Sequence, residues 1–126
     1  MPLLTAGRDF YVSRLHGNTA QALDSTHSYI AVGDSAAAFN AAQTDLQAST
    51  NKVRKLVSNG YPTLFGNAAT YVVTFDENEA NFTWQEWGIA NADTGGTLLN
   101  RKVAFLGVKT NTQQWVVTIT LTTNAT

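Results

Sequence analysis

EANFTWQEWGIANADTGGTLLNRKV, residues 79–103, is the stretch that decides the predicted fold, because it has the pattern of one long β-hairpin. Strand-type residues flank the turn sequence DTGG at residues 93–96, in which glycine can adopt the positive φ that tight hairpin turns require. The prediction is a hairpin over residues 82–105, with residues 97–105 as its return arm.

The first arm of this hairpin carries large aromatic side chains on both faces. Because side chains alternate along a strand, Phe82, Trp84 and Glu86 are predicted on one face, and Trp87 and Ile89 on the other. A strand that covers a small core from one side usually leaves its second face polar. We therefore expect this arm to be covered on both faces, by a second layer of the chain or by another subunit.

The turn also predicts the register of the two arms. If it has two central residues, Ala90 pairs with Leu99 and Glu86 with Val103, which places Arg101 diagonal to Glu86 on one face. A buried carboxylate beside tryptophans must be paired or neutral, and arginine is its best partner. The prediction is a charge-assisted hydrogen bond between Glu86 and Arg101 that fixes the register, in preference to a catalytic role.

Composition excludes several classes of function. The chain has 126 residues, a formal charge of −1 and 13% charged residues, so it carries no basic surface that would indicate nucleic-acid binding. It has no cysteine, and no apolar run approaches the roughly 18 residues that span a bilayer. We predict a single domain over residues 1–126 without a membrane segment, which stays in the cytoplasm of the cell that makes it.

Outside the hairpin, the pattern predicts a helix followed by strands. Leu4, Arg8, Val12 and Leu15 stand at helical spacing, which predicts an amphipathic helix within residues 1–17. Residues 28–126 form the predicted β domain, with a loop and a short helix beginning near residue 45. The strands are predicted at residues 28–33, 52–58, 70–75, 82–91, 97–105 and 114–122.

These elements predict a mainly β (α+β) fold. Five to six strands without a βαβ rhythm indicate an antiparallel sheet or a small β-sandwich, with the amino-terminal helix packed on it. In the last strand, Trp115 is the first residue of the face predicted to be buried.

The sequence predicts no catalytic, cofactor-binding or metal-binding site. An apolar strand ending in Gly-Asp-Ser resembles the first block of the GDS-type lipases and esterases, which would make Ser35 a nucleophile. Those enzymes need a histidine near the carboxyl end, and the last histidine here is His27. Asp76, Glu77 and Glu79 lack the spacing of a calcium loop, so a solvated turn is predicted.

Aromatic residues are the remaining candidates for function. They could pack in a core or subunit interface, or form a platform that stacks on sugar rings, which keeps a carbohydrate-binding module as an alternative. The residues predicted to serve structure or an interface are Phe82, Trp84, Glu86, Trp87, Arg101 and Trp115.

Several short blocks, taken in order, resemble virion structural proteins of tailed bacteriophages. The order is similar to that of the amino-terminal attachment domain of phage tail fibres, of the tail-collar type. In that family an "iavGdG" strand precedes a "qTaL" segment, a basic strand and an "EiGlf" strand leading to a hairpin. The matching blocks are YIAVGD at 29–34, QTDL at 43–46, KVRK at 52–55, EANF at 79–82, EWG at 86–88 and GGTLLNR at 95–101.

The resemblance implies a non-enzymatic virion protein that self-associates, most often as a trimer, and docks to tail, baseplate or capsid proteins. It covers residues 28–103, and no fibre shaft follows within the 126 residues, so the expectation is a separate subunit. The chain is also similar to short phage structural proteins that open with LLTAGRDF. A capsid decoration protein on the phage head is therefore the alternative within the same class.

Overall fold

In the computed structural model of the chain, residues 2–17 and 20–123 are described; positions 1, 18–19 and 124–126 of the predicted domain lie outside them. Within the described residues the chain forms one helix and seven strands. Their bounds are α1 Thr5–Leu15, β1 Tyr29–Gly33, β2 Lys52–Leu56, β3 Thr63–Phe65, β4 Ala68–Phe75, β5 Thr83–Ala90, β6 Lys102–Val108 and β7 Trp115–Thr122.

The strands form two antiparallel sheets that pack face to face. One sheet has the strand order β2-β1-β5-β6 and the other has the order β3-β4-β7. This confirms the predicted class, a mainly β fold with a small sandwich and an amino-terminal helix. Along β4 every second side chain points toward the first sheet, as the sequence alternation predicts. The main buried residues between the sheets are Ile30, Val32, Tyr71, Val73, Phe75, Trp84, Ile89 and Ile119.

The sandwich is closed on one side and open on the other. On the β2 side, the Ser58 amide donates to the Val72 carbonyl at 2.8 Å, and the Lys55 ammonium group donates to the Thr74 carbonyl. On the opposite side β6 and β7 end their sheets, and within the described residues no hydrogen bond joins these two strands. The space between the sheets is therefore accessible from the β6–β7 side.

An ion pair between Lys55 and Glu79 lies on the closed side and predicts a pH dependence. Hydrogen bonds from Lys55 and from the Asp76 amide lower the pKa of Glu79 from its usual 4.5. Because the folded-state pKa is lowered, the stabilising contribution is present above the unfolded-state pKa and is lost as pH falls through the folded-state value. We expect Glu79→Gln to lower the free energy of unfolding by up to about 1 kcal/mol near neutral pH.

The measurement is urea unfolding of the native protein and of Glu79→Gln at about pH 7 and about pH 3. The difference in stability between the two proteins should be smaller at the lower pH. A difference that is unchanged in acid would contradict the assignment.

Helix α1 is confirmed, but of the four residues that were predicted on its apolar face only Leu4, which directly precedes the helix, is buried. The buried positions are Leu4, Gly7 and Phe10, whereas Val12 and Leu15 are exposed. The reason is a close approach of the helix to the backbone at position 99, where a Cβ on Gly7 would clash with the carbonyl group. The glycine therefore selects the contact face. No helix within the described residues is long and apolar enough to span a bilayer.

Two further predictions outside the hairpin were wrong. Strand β3 was missed; it pairs with β4 through a two-residue connection, Gly66-Asn67, with Phe65 opposite Ala68. Residues 36–50 contain no helix, since this segment is irregular throughout. Its Asp45 carboxylate binds Lys52 instead of starting a helical turn.

The central hairpin exists, with a longer and less regular connection than predicted. Glu86 pairs with Val103 as predicted, but Ala90 pairs with Leu98 instead of Leu99. The return strand β6 begins at position 102, but Leu99 already donates its amide to the Ile89 carbonyl at 2.7 Å, and the Ile89 amide donates to the Asn100 side chain at 3.0 Å. The Asn91 side chain accepts a hydrogen bond from the residue 97 amide at 2.7 Å, which closes a loop over residues 92–96.

Candidate functional site

A β-bulge in the pairing of β5 with β6 places two tryptophans on the same face of the sheet. Between the pairs Trp84–Gly107 and Glu86–Val103, three residues of β6 lie opposite one residue of β5, which interrupts the regular register there. As a result Trp84 points into the sandwich together with Trp87 and Ile89, while Glu86 points to the other side. The prediction that Trp84 shares a face with Glu86 was therefore wrong, because simple alternation does not continue through a bulge.

Trp84 is the buried centre of an aromatic cluster. Its side chain is 2% exposed, and its indole Nε1 donates to the Ala80 carbonyl at 2.9 Å. Its ring lies edge-on to Phe75, with centroids 5.2 Å apart, and to Trp115, with centroids 4.8 Å apart. Such tilted contacts are the favoured geometry of aromatic pairs. Trp84 thus fixes the position of Trp115 at the open side of the sandwich.

The open side contains a groove of about 640 Å³, which we call the tryptophan groove. Trp84 forms its floor, Trp87 and Trp115 are partly buried in its walls, and Leu106 of β6 is exposed at its mouth. Its lining residues are Val32, Trp84, Trp87, Leu106, Gln114, Trp115, Val116, Val117, Thr118, Ile119 and Thr120. None of these residues carries a charge, so the groove suits an apolar or neutral polar partner.

The other face of β5 carries the predicted ion pair, completely buried. The Arg101 Nε donates to Glu86 Oε1 at 2.7 Å, and both side chains are 0% exposed. A buried ion pair is stable only when its remaining hydrogen-bonding atoms also find partners. The segment at residues 34–50 supplies these partners, which explains why an irregular loop packs on this face.

Backbone amides of this segment satisfy the carboxylate of Glu86. The amides of Gln47 and Ala48 donate at 2.8 and 2.9 Å, and the Ser35 amide donates at 3.2 Å. A Cβ on Gly33 would overlap this carboxylate, so the residue before the segment has to be glycine for the carboxylate to fit. The carboxylate therefore holds both ends of the segment against β5.

The guanidinium group of Arg101 donates hydrogen bonds to oxygen atoms of the same segment. It donates to the Ala37 carbonyl at 2.9 Å, to the Gln43 side-chain oxygen at 3.3 Å and to the Ser35 carbonyl at 3.4 Å. Together the two side chains link the hairpin to most of the segment. The predicted cover of both faces of β5 is confirmed, and the second sheet and this segment provide it from the same chain.

Charged residues of β2 hold the segment from its outer side. Lys52 and Arg54 both bind the Asp45 carboxylate, at 2.9 and 3.2 Å. Partial burial opposes ionisation of this carboxylate, but hydrogen bonds from Lys52 and from the Leu46 amide lower the pKa of Asp45 overall. These contacts make the segment part of the folded core.

Five of the six predicted site residues fall into two groups in the structure. Trp84, Trp87 and Trp115 meet at the groove, whereas Glu86 and Arg101 form the ion pair on the other face. The sixth residue, Phe82, precedes β5 and packs partly buried against the core.

Two exposed apolar residues of β3, Leu64 and Phe65, were missed by the sequence prediction. The signal that could have found them is Gly66-Asn67, a two-residue hairpin turn between strand-type residues.

The residues that could have taken part in catalysis make structural contacts instead. The Ser35 hydroxyl oxygen accepts a hydrogen bond from the Ala37 amide, and the His27 ring binds Asp24. Within residues 2–17 and 20–123, no three acidic or histidine side chains lie close enough together to hold a metal ion. The feature best suited to binding is therefore the tryptophan groove.

Comparison of the chain with protein-family models, curated proteins and solved structures finds no match.

Proposed function

We propose that this protein is a non-enzymatic structural subunit of a tailed-phage virion, of the tail or tail-fibre attachment type. One observation carries the proposal: four of the six sequence blocks that resemble phage attachment domains meet around one ion pair. Glu86 lies in the EWG block and Arg101 ends the GGTLLNR block; Gln43, from the QTDL block, binds the same guanidinium group. The YIAVGD block ends beside the Glu86 carboxylate. These four blocks therefore form one structural unit.

The groove supports the second half of the proposal, that the subunit acts by self-association and by docking to other virion proteins. Its apolar lining opens to solvent between two strand edges, a location at which protein surfaces are usually covered by a partner. In a homo-oligomer, such as the trimer that the resemblance implies, each copy would have its groove covered by a neighbouring copy. Other virion proteins of the tail or baseplate are the remaining partners.

The test is immunogold electron microscopy of purified phage particles with an antibody against this protein. The proposal predicts label at the tail or its fibres. Label distributed over the head would favour the alternative, a capsid decoration protein. Particles without label in either place, from a lysate that contains the protein, would contradict the proposal.

A carbohydrate-binding module is a second candidate, favoured by the partly exposed rings of Trp87 and Trp115 beside the polar side chains of Gln114 and Thr118. Trp84 is too deeply buried to stack on a ligand. Tryptophan fluorescence should respond to a titrated oligosaccharide if a sugar stacks in the groove. An unchanged spectrum across a panel of glycans would remove this candidate.

A further inference from the structure

The two edges of the three-stranded sheet lack the charges that usually protect strand edges. No charged residue occurs at positions 58–75, which include β3, or at positions 110–123, which include β7. By contrast, the edge strand β2 carries three cations in five residues. Exposed strand edges without charge pair readily with other strands, and soluble proteins commonly place lysine there. Both free edges of this sheet are therefore suited to pairing.

Strand β3 presents an apolar projection at one of these edges. Leu64 is 79% exposed and Phe65 is 90% exposed. Leu64 pairs with Ala69, and residues paired across antiparallel strands share a face of the sheet. Because Ala69 lies on the same face of β4 as Tyr71 and Val73, Leu64 belongs to the inner face of the sheet and Phe65 to the outer face.

Strand β7 presents the matching depression at the opposite edge. Trp115 and Val117 lie on its inner face and line the tryptophan groove; Val116 belongs to its outer face, is exposed and borders the same groove. If the sheet of a second copy continues this one, Leu64 of that copy comes to lie over the groove, and Phe65 comes to lie beside Val116. The apolar side chains thus match on both faces of the extended sheet.

We propose that β3 of one copy docks on the β7 edge of a second copy, with Leu64 inserted into the tryptophan groove. This is strand addition, in which backbone hydrogen bonds supply affinity and side-chain pockets supply specificity. The occupant is a second copy for two reasons. The groove and the projection are both uncharged, and Leu64 lies on the inner face of the sheet, which is also the face of β7 that lines the groove. The inference rests on the self-association in the proposed function and specifies the contact.

The contact is head-to-tail, since each copy uses two different edges. A head-to-tail interface closes into a ring when its rotation permits and otherwise continues as a filament. Each copy would then have its groove filled by one neighbour and would fill the groove of another. This arrangement differs from a symmetric dimer, in which both copies would use the same edge, and the difference can be measured.

The test uses three matched leucine-to-lysine variants at exposed positions. Leu64→Lys changes the projection, Leu106→Lys places a charge at the mouth of the groove, and Leu56→Lys on β2 is the control. Sedimentation velocity gives the mass of each variant, and circular dichroism confirms its fold. We expect the first two variants to weaken self-association by about 10- to 100-fold and the control to behave as the native protein.

A mixing experiment identifies the head-to-tail geometry. Leu64→Lys retains an intact groove and Leu106→Lys retains an intact projection, so an equimolar mixture should form one-to-one heterodimers and no larger species. Native mass spectrometry, with one variant isotopically labelled, measures this directly. Variants that are each monomeric but do not combine would overturn the head-to-tail contact.

The remaining outcomes separate this inference from the proposed function. If the native protein associates and Leu64→Lys associates equally well, the β3 contact is wrong and self-association stands. If the native protein is a monomer at every concentration, the self-association in the proposed function fails and the inference fails with it. A native monomer whose tryptophan fluorescence responds to an oligosaccharide would assign the groove to sugar and overturn the inference.

Discussion

Replacement of Arg101 by methionine is expected to lower the free energy of unfolding by about 3–5 kcal/mol, because it leaves a buried carboxylate without its counter-charge. The Glu86 side chain is 0% exposed and cannot reach water in the folded chain. The substitution also removes the donor from the Ala37 and Ser35 carbonyls and from Gln43. A domain of this size has a total stability of about 5–15 kcal/mol, so the loss is a large part of it.

Urea unfolding followed by circular dichroism measures this change, with Lys55→Met as the control for a partly exposed ion pair. The control should change stability by about 1 kcal/mol or less. Replacing Glu86 as well, in Glu86→Leu/Arg101→Met, should not restore native stability. The amides of Gln47 and Ala48 then lose their acceptor, and a buried amide without a partner is itself destabilising. A double variant as stable as the native protein would contradict this account.

Replacement of Trp84 by alanine is the second large effect, with an expected loss of about 3–5 kcal/mol in the free energy of unfolding. The side chain fills the centre of the sandwich and contacts Phe75 and Trp115. Its removal leaves a cavity beneath the groove and frees the Ala80 carbonyl from its indole partner. The fold loses an apolar contact and a hydrogen bond together.

Trp87→Ala provides the matched control, because Trp87 lies in the wall of the groove and is only partly buried. Its loss should lower stability by only about 1–2 kcal/mol. Both variants are compared with the native protein at one fixed protein concentration, since association raises apparent stability. Equal losses in the two variants would show that Trp84 is not the structural centre of the sandwich.

The sequence was sufficient to predict the ion pair because its signal is local. A hairpin turn sets the register, alternation sets the faces, and a carboxylate among tryptophans needs an arginine, which leads directly to Glu86 and Arg101. The alternation of apolar residues along β4 and β7 likewise predicted their buried faces. Where neighbouring residues determine the structure, physical reasoning from the sequence was correct.

The sequence was not sufficient where distant contacts decide the local structure. The bulge after Trp84 turns that side chain into the sandwich, and simple alternation along β5 gives no sign of it. The helix buries the face that contains Gly7, because at this residue the helix approaches the backbone of Leu99, which is distant in sequence. The tryptophan groove depends on both effects and on the open β6–β7 side, so only the individual tryptophans could be predicted.

The positions of the ion pair and the groove separate stability from association. They lie on opposite faces of β5: residues 34–50 cover the face of the ion pair, and the other face packs on the second sheet, with the groove at its open side. Changes at Arg101 should therefore act mainly on folding, whereas changes at the exposed Leu64 and Leu106 should act mainly on assembly. The same strand supports both because the bulge reverses the direction of one tryptophan.

The most direct test of the central claim is the mass of the purified native protein in solution, measured by light scattering over a range of micromolar concentrations. The chain mass is 13.6 kDa. Self-association through the tryptophan groove predicts a multiple of that mass. The multiple is single if the contact closes into a ring, such as the trimer that the resemblance implies, and grows with concentration if the contact continues as a filament. A mass equal to that of the single chain at every concentration would contradict the claim.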